Sequence, residues 1–365
     1  MLRHPSRRRG HDTVTDEFAY DALPMRVIFG VGAVHRLAEE TRRLGIRRAV
    51  VLATPGQAGL AEQARGLLGG IAAGSFVQAR MHVPAHTVVE AGQAATQLGA
   101  DGCVAIGGGS TIGLAKALAL RHGLPAVAVP TTYAGSEMTP IWGITDNARK
   151  QTGRDRAVLP RTVIYDPELT RTLPVHVSGT SGLNAIAHAM EALYAPDASP
   201  VISALAERGI RDLVRALPAI KADHTDITAR STALEGAWLC GACLGATTMG
   251  LHHKLCHVLG GRLGLPHAET HAVMLPHVAA FNLTAAPAAR DALRRALATV
   301  SPARALAELA VRLGTPRTLK DLGVTGPALP GVIDEVLAHP YANPHPLNRE
   351  SLRALLQNAL DGSAI

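Results

Sequence analysis

The sequence predicts two parts: an α/β N-terminal dinucleotide-binding domain on a Rossmann-like parallel sheet, and an all-α C-terminal domain. Three observations predict it. A chain of 365 residues is too long for one ordinary core. From Met25 to about Pro174 short apolar runs alternate with helix-length patterns, as in a parallel sheet covered on both faces. Beyond Pro174 apolar residues recur only at helical spacing.

In order, Arg26–Phe29 reads as the first strand, and Ala33–Leu44 as a helix that Gly45 caps. Ala49–Ala53 is a strand and Gln63–Ile71 a helix, followed by a weaker strand at Ser75–Gln78 and a helix at Val88–Leu98. Cys103–Ile106 runs into Gly107-Gly108-Gly109-Ser110-Thr111 and a helix through Leu120, then a strand at Ala126–Val129 and Pro130-Thr131-Thr132. Bare backbone N–H groups between a strand and a helix start can hold a pyrophosphate, although Gly-Gly-Gly-Ser is not the Gly-x-Gly-x-x-Gly fingerprint. The cofactor, NADH or NADPH, is expected across Gly107–Thr111 with its nicotinamide near Thr131 and Thr132. Thr54 stands at the second strand's end, where an acid would grip a ribose hydroxyl and repel a 2′-phosphate, so both cofactors are expected to serve.

Trp142–Thr145 and Thr162–Tyr165 read as strands flanking a polar hairpin that carries Lys150 and Arg154, which face the cofactor side in this reading. Helical spacing then covers Gly179–Tyr194, Pro200–Leu217, Thr228–Leu244, Leu251–Leu259, His267–Phe281, Ala289–Val300, Ala303–Leu313 and Ser351–Leu360. The resulting division is a disordered basic tail (1–14), a dinucleotide-binding domain (15–174) and a helical catalytic domain (175–365), packed closely around a cleft.

Composition narrows the function classes. Aromatics are 3% of residues, too few for stacked-base recognition of nucleic acid. Arg3, Arg7, Arg8 and Arg9 supply four of the seven net positive charges, and what remains is ordinary for a soluble enzyme. No run of about 18 apolar residues spans a membrane and no apolar stretch opens the chain as a secretory signal. Cys103, Cys240, Cys243 and Cys256 read as buried, reduced thiols of a cytoplasmic protein.

The chemistry is expected in two helical segments. In one, His253 and His257 are four residues apart on one face, and Pro266 lets His267 open the next helix toward them. In the other, Asn184 and His188 repeat that spacing. This is the form of a metal site, except that an amide stands where a divalent cation prefers a carboxylate. His252 or His271 is read as packing or support, Cys256 as inert filler, and Asn184 has a bland alternative as a helix-capping amide.

Together, Gly107–Ser110, Pro130–Thr132, Gly135-Ser136-Glu137, the Asn184/His188 pair and His253…His257…Pro266-His267 resemble the iron-containing alcohol dehydrogenase family over nearly the whole chain from Phe18. The resemblance implies a dehydroquinate synthase-like fold and a homodimer. It also implies metal positions at Asn184, His188, His253 and His267, with His257 catalytic but not a ligand. Asn184 departs from that set and resembles the family's maleylacetate reductase branch, as do His252–His257, Pro266–His271 and Pro130–Pro140. That branch is understood to work without the metal. It reduces the C=C bond of maleylacetate to 3-oxoadipate in aromatic-compound degradation.

The residues agree with that implication. Losing the anionic ligand weakens retention of a divalent ion. Hydride addition to a C=C bond conjugated with a ketone leaves an enolate, which protonated His or Lys254 can stabilise while a neighbouring His delivers the proton. The expected substrate is a small diacid, and no metal is expected. Two alternatives stand beside this reading: a metal-dependent alcohol or polyol dehydrogenase that tolerates Asn184, and a catalytically silent nucleotide-binding protein.

Overall fold

The computed structural model describes residues 18, 20, 22, 23, 25–146 and 149–363, without the side chains of Arg149 and Lys150. The basic tail and the Lys150 side chain therefore lie outside the described residues.

The N-terminal half contains β1 (Arg26–Phe29), α1 (Leu37–Arg43), β2 (Ala49–Leu52), α2 (Ala58–Leu68), β3 (Ala72–Phe76), α3 (Ala85–Gln97), β4 (Gly102–Gly107), α4 (Gly109–His122), β5 (Ala126–Pro130), β6 (Ile141–Asp146), β7 (Arg149–Arg154) and β8 (Thr162–Tyr165). Six strands form a parallel sheet in the order β1-β8-β5-β4-β2-β3. The strands are apolar because both faces are covered. Val50, Leu52, Cys103, Ala105, Ala126, Ala128 and Val163 pack with α3 and α4 and continue into the helical domain's core, whereas Val51, Val104, Ile106, Val127, Val129 and Ile164 pack against α1 and α2.

This topology fixes the ligand position. The chain leaves β2 for α2 on one face and β4 for α4 on the other, so a crevice opens between the C-terminal ends of these adjacent strands. Thr54 and the glycine loop border it.

Three sequence readings need correction. The second arm of the polar hairpin is itself a strand: β7 pairs antiparallel with β6, while β8 belongs to the main sheet. The helix expected at Gln63 begins at Ala58, and β3 lies three residues before its expected start at Ser75. Both departures follow from glycines that pattern reading takes as breaks, since Gly59 and Gly66 are accommodated inside α2 and Gly74 inside β3.

The C-terminal half contains α5 (Val175–Ala192), α6 (Pro200–Ala222), α7 (Ile227–Ala246), α8 (Leu251–Leu263), α9 (His267–Asn282), α10 (Pro287–Leu297), α11 (Pro302–Leu313), α12 (Leu329–Leu337) and α13 (Arg349–Asp361), with no strand among its described residues. α12 was not expected from the sequence. Its Pro330-Gly331 resembles a break, but proline is tolerated in a helix's first turn. None of the described helices is long and apolar enough to cross a membrane.

The halves meet through the segment after β5. A Cβ on Gly241 of α7 would lie 2.9 Å from the Gly135 Cα, so backbone touches backbone there. Lys116 of α4, fully buried, holds this segment by donating to the Ser136 carbonyl (2.6 Å), Thr139 Oγ1 (2.8 Å) and the Ile141 carbonyl (2.8 Å). Burial lowers its pKa to about 7, against the opposing pull of Glu137.

Candidate active site

At the nucleotide end, Gly107 takes φ +151°, and a Cβ there would come within 2.6 Å of Thr111 Oγ1 and 2.7 Å of Gln57 Oε1. A Cβ on Gly108 would meet Thr132 Cγ2 at 2.9 Å, whereas one on Gly109 meets nothing within 4 Å. The loop is packed from below and open above. α4 begins there without a side-chain cap on its N-terminal N–H groups, an arrangement suited to an anionic pyrophosphate. Gln57 bridges the crevice: its amide donates to Thr131 Oγ1 (3.0 Å), and its Oε1 accepts from Thr54 Oγ1 (3.1 Å). Sequence reading missed Gln57, whose role depends on strands it is not part of. Arg154 donates to the Gly245 carbonyl at the junction of hairpin and helical domain.

At the catalytic end α5, α8 and α9 converge. Asn184 and His188 lie one turn apart on α5, both 3% exposed. Asn184 sits in mid-helix, so it is not a cap, and its Oδ1 is buried without a hydrogen-bond partner among the described residues. His188 Nδ1 lies 3.2 Å from His253 Nε2, and His188 Nε2 lies 3.3 Å from the Ala134 carbonyl across the domain junction. His257 and His267 line the exposed side, with ring centroids 6.1 Å apart and nearly parallel planes. Lys254 shares the partly exposed stripe of α8 with His257 and Gly261. The expected imidazoles therefore do gather, with His271 added to them at 5.0 Å from His253 and 4.4 Å from His267.

The group that organises them is Glu191, fully buried and not singled out from the sequence. Its carboxylate accepts from the backbone N–H groups of Gly250 (3.0 Å), His252 (2.9 Å) and His253 (3.3 Å), and from His253 Nδ1 (2.7 Å). It thus caps α8 and fixes the His253 ring in one stroke. Burial alone would raise its pKa, but the bond and charge of His253 and the bond from His252 bring the pKa below the ordinary value, so the carboxylate is ionised.

The line Glu191–His253–His188–Ala134 ends in two pure acceptors, a carboxylate and a carbonyl, so His253 Nδ1 donates at one end and His188 Nε2 at the other while their remaining nitrogens face each other. Burial, together with the nearby rings of His253, His252 and His267, holds the His188 pKa well below its ordinary value. Behind this line His252 Nε2 meets His271 Nδ1 at 2.9 Å. Both rings are kept neutral by burial first and by the surrounding imidazoles second, His252 with its pKa down to about 3 and His271 well below its ordinary value. They form a buried, hydrogen-bonded pair.

Comparison with known proteins follows this geometry. Residues 24–167 match the model for iron-containing alcohol dehydrogenase, and residues 178–360 match the model for the C-terminal part of the Fe-containing alcohol dehydrogenase family. The chain is 54% identical to a maleylacetate reductase of Burkholderia cepacia over 94% of its own length and 98% of the relative's. The structure of maleylacetate reductase from Rhizobium sp. strain MTP-10005 superposes with a TM-score of 0.92 at 49% identity, covering 96% of this chain and 99% of the other. An iron-containing alcohol dehydrogenase of Corynebacterium glutamicum also superposes at 0.92, with 42% identity and the same coverage.

Proposed function

The chain belongs to the iron-containing alcohol dehydrogenase family, and from that premise we propose that it reduces the C=C bond of maleylacetate to 3-oxoadipate with NADH or NADPH, without a metal. It is an oxidoreductase, and several relatives that match it over nearly their full length carry the reductase name. The single observation that carries the finer reading is the donor set at the four family metal positions: an amide and three imidazoles, with no anion among them. The buried carboxylate is on the far side of His253, 2.7 Å from Nδ1, and the inward nitrogens of His188 and His253 are turned on each other. Such a set fits a divalent cation poorly.

The chain's own residues can do the remaining chemistry. A reduced nicotinamide supplies the hydride, which reaches the C=C carbon far from the ketone and leaves an enolate. Lys254, His257 and His267 border the open side and donate to the enolate oxygen and to the substrate's carboxylates. A neighbouring imidazole of the cluster delivers a proton to the adjacent carbon, and solvent restores it through the exposed imidazoles. Glu191 holds the His253 ring in place between turnovers.

The test is one assay series that follows NADH oxidation with maleylacetate and with simple aldehydes, before and after dialysis against EDTA, for the wild type and Asn184→Asp. Full EDTA-resistant activity on maleylacetate is expected from the wild type. Asn184→Asp, which restores the anionic ligand, should gain Fe²⁺ or Zn²⁺ binding and lose maleylacetate turnover. EDTA-sensitive wild-type activity, or faster turnover of aldehydes, would instead select the metal-dependent dehydrogenase reading that the Corynebacterium glutamicum structure favours.

A further inference from the structure

The metal positions of the family do not include His252, Cys256 or His271. These three side chains are 0%, 1% and 0% exposed, and each offers a ligand atom within 4.8 Å of the other two. His252 and Cys256 share one face of α8 at four-residue spacing, and His271 comes from the second turn of α9. His252 Nε2 is 2.9 Å from His271 Nδ1 and 3.8 Å from Cys256 Sγ. In a three-coordinate centre with bonds of roughly 2.0 Å to nitrogen and 2.3 Å to sulfur, these separations would be about 3.5 and 3.7 Å. Closing on an ion therefore asks for shifts of about half an ångström between the two rings and at most about 1 Å between Cys256 and His271, whose ligand atoms lie within 4.8 Å.

We propose that His252, Cys256 and His271 form a binding site for a soft monovalent d10 cation, Cu(I) in class, separate from the family's metal positions and from the reductase chemistry. Two physical arguments select that ion. A thiolate with two imidazoles is a soft donor set, and Cu(I) is content with three ligands, whereas structural zinc takes four. Charge decides the rest. Cu(I) with one thiolate is neutral, while Zn(II) would leave one positive charge in a fully buried site. Binding forms the Cu–S bond and releases the thiol proton to buffer, with no change of oxidation state.

An entry path is visible in the ring contacts. His267 is exposed, its centroid lies 4.4 Å from that of His271, and His271 lies 4.8 Å from His252. The imidazoles form a ladder from the cleft surface to Cys256.

The experiment titrates the full chain anaerobically with Cu(I) held by bicinchoninate and follows loss of the chelator's colour. X-ray absorption of the copper-loaded wild type follows. One equivalent per chain should be taken up with one sulfur and two nitrogens around copper. Cys256→Ala and His271→Asn should each weaken uptake at least a hundredfold, and folding of both is checked by unfolding midpoint. A two-sulfur sphere would place copper at Cys240 and Cys243 and overturn the proposal, as would unchanged uptake by folded Cys256→Ala or no uptake from the chelator. If either variant fails to fold, the wild-type coordination sphere decides alone.

Discussion

The nucleotide end and the catalytic end of this cleft are built on opposite principles. At the first, function rests on what is missing: Gly107 has no room for a side chain, and α4 starts with bare N–H groups. At the second it rests on crowding, with the four imidazoles of His188, His252, His253 and His271 and one carboxylate packed where water is largely excluded. A backbone cradle tolerates changes around it and fails only where a Cβ intrudes. A buried charge network has no slack, because every member's protonation state is set by the others. Variants at the two ends should therefore fail in different ways, which gives a graded set of tests.

The largest effect is expected at Glu191. Glu191→Gln keeps shape but removes the charge that caps α8 and orients the His253 ring. Breaking a buried charged network by removing one partner costs about 3–5 kcal/mol of stability, and loss of organised acid–base imidazoles costs roughly 10²–10⁴ in kcat. Urea unfolding and steady-state kinetics with maleylacetate check both. A kcat within tenfold of wild type in folded Glu191→Gln would show that the carboxylate is only a helix cap.

Next comes acid stability. His252, His271 and His277 are buried with pKa values below the ordinary histidine value, His252 at about 3 and His277 at about 4, burial being the main cause for each. The unfolded chain binds protons at these three positions as pH falls below about 6.5 and the folded chain does not. Stability is therefore fully present above that pH and falls below it, by roughly 1.4 kcal/mol per pH unit for each group that stays neutral. Over the unit below pH 6 three groups give about 4 kcal/mol, read as a falling urea midpoint at constant m. A midpoint flat from pH 7 to 5 would mean that these rings accept protons in place.

The same contrast explains what the sequence could reveal. The parallel sheet, the glycine loop and most helices were legible because each is written in local periodicity or in glycine and proline placement. Asn184 and His188 were legible for the same reason. Glu191 carried half a signal: it stands three residues after His188 on the same face of α5. Its partners, the N–H groups of Gly250, His252 and His253, lie about sixty positions away, and no local pattern encodes that contact. Gln57 and the His252–His271 pair were hidden likewise, since each acts across elements brought together only by the fold. α12 was lost to a proline and glycine that its first turn tolerates.

A smaller and cleaner effect is expected at Gly107. Gly107→Ala puts a Cβ at φ +151° within 2.7 Å of the Gln57 and Thr111 side-chain oxygens, so both must move. Strain of about 1–3 kcal/mol should appear mainly as a higher KM for NADH, with the pH profile of kcat unchanged because the imidazole network is untouched. A changed pH profile would mean that the two ends are coupled through the segment that Lys116 holds.

The smallest effect concerns cofactor choice. The second strand ends at Thr54, a neutral hydroxyl whose hydrogen is given to Gln57 Oε1, 3.1 Å away. An acid at this position would bind a ribose 2′-hydroxyl through two acceptors and repel a 2′-phosphate. Thr54 does neither, and nothing about a hydroxyl penalises the larger cofactor. The crevice should therefore accept NADH and NADPH with a ratio of kcat/KM below about a hundredfold, equivalent to roughly 2.7 kcal/mol. Thr54→Asp should widen that ratio toward NADH by adding charge repulsion, while kcat with NADH stays near wild type because the catalytic imidazoles are unaffected. A wild-type ratio above a hundredfold would place the discrimination on another cationic or anionic side chain near the crevice. A Thr54→Asp variant with unchanged preference would show that the adenosine ribose does not lie against β2.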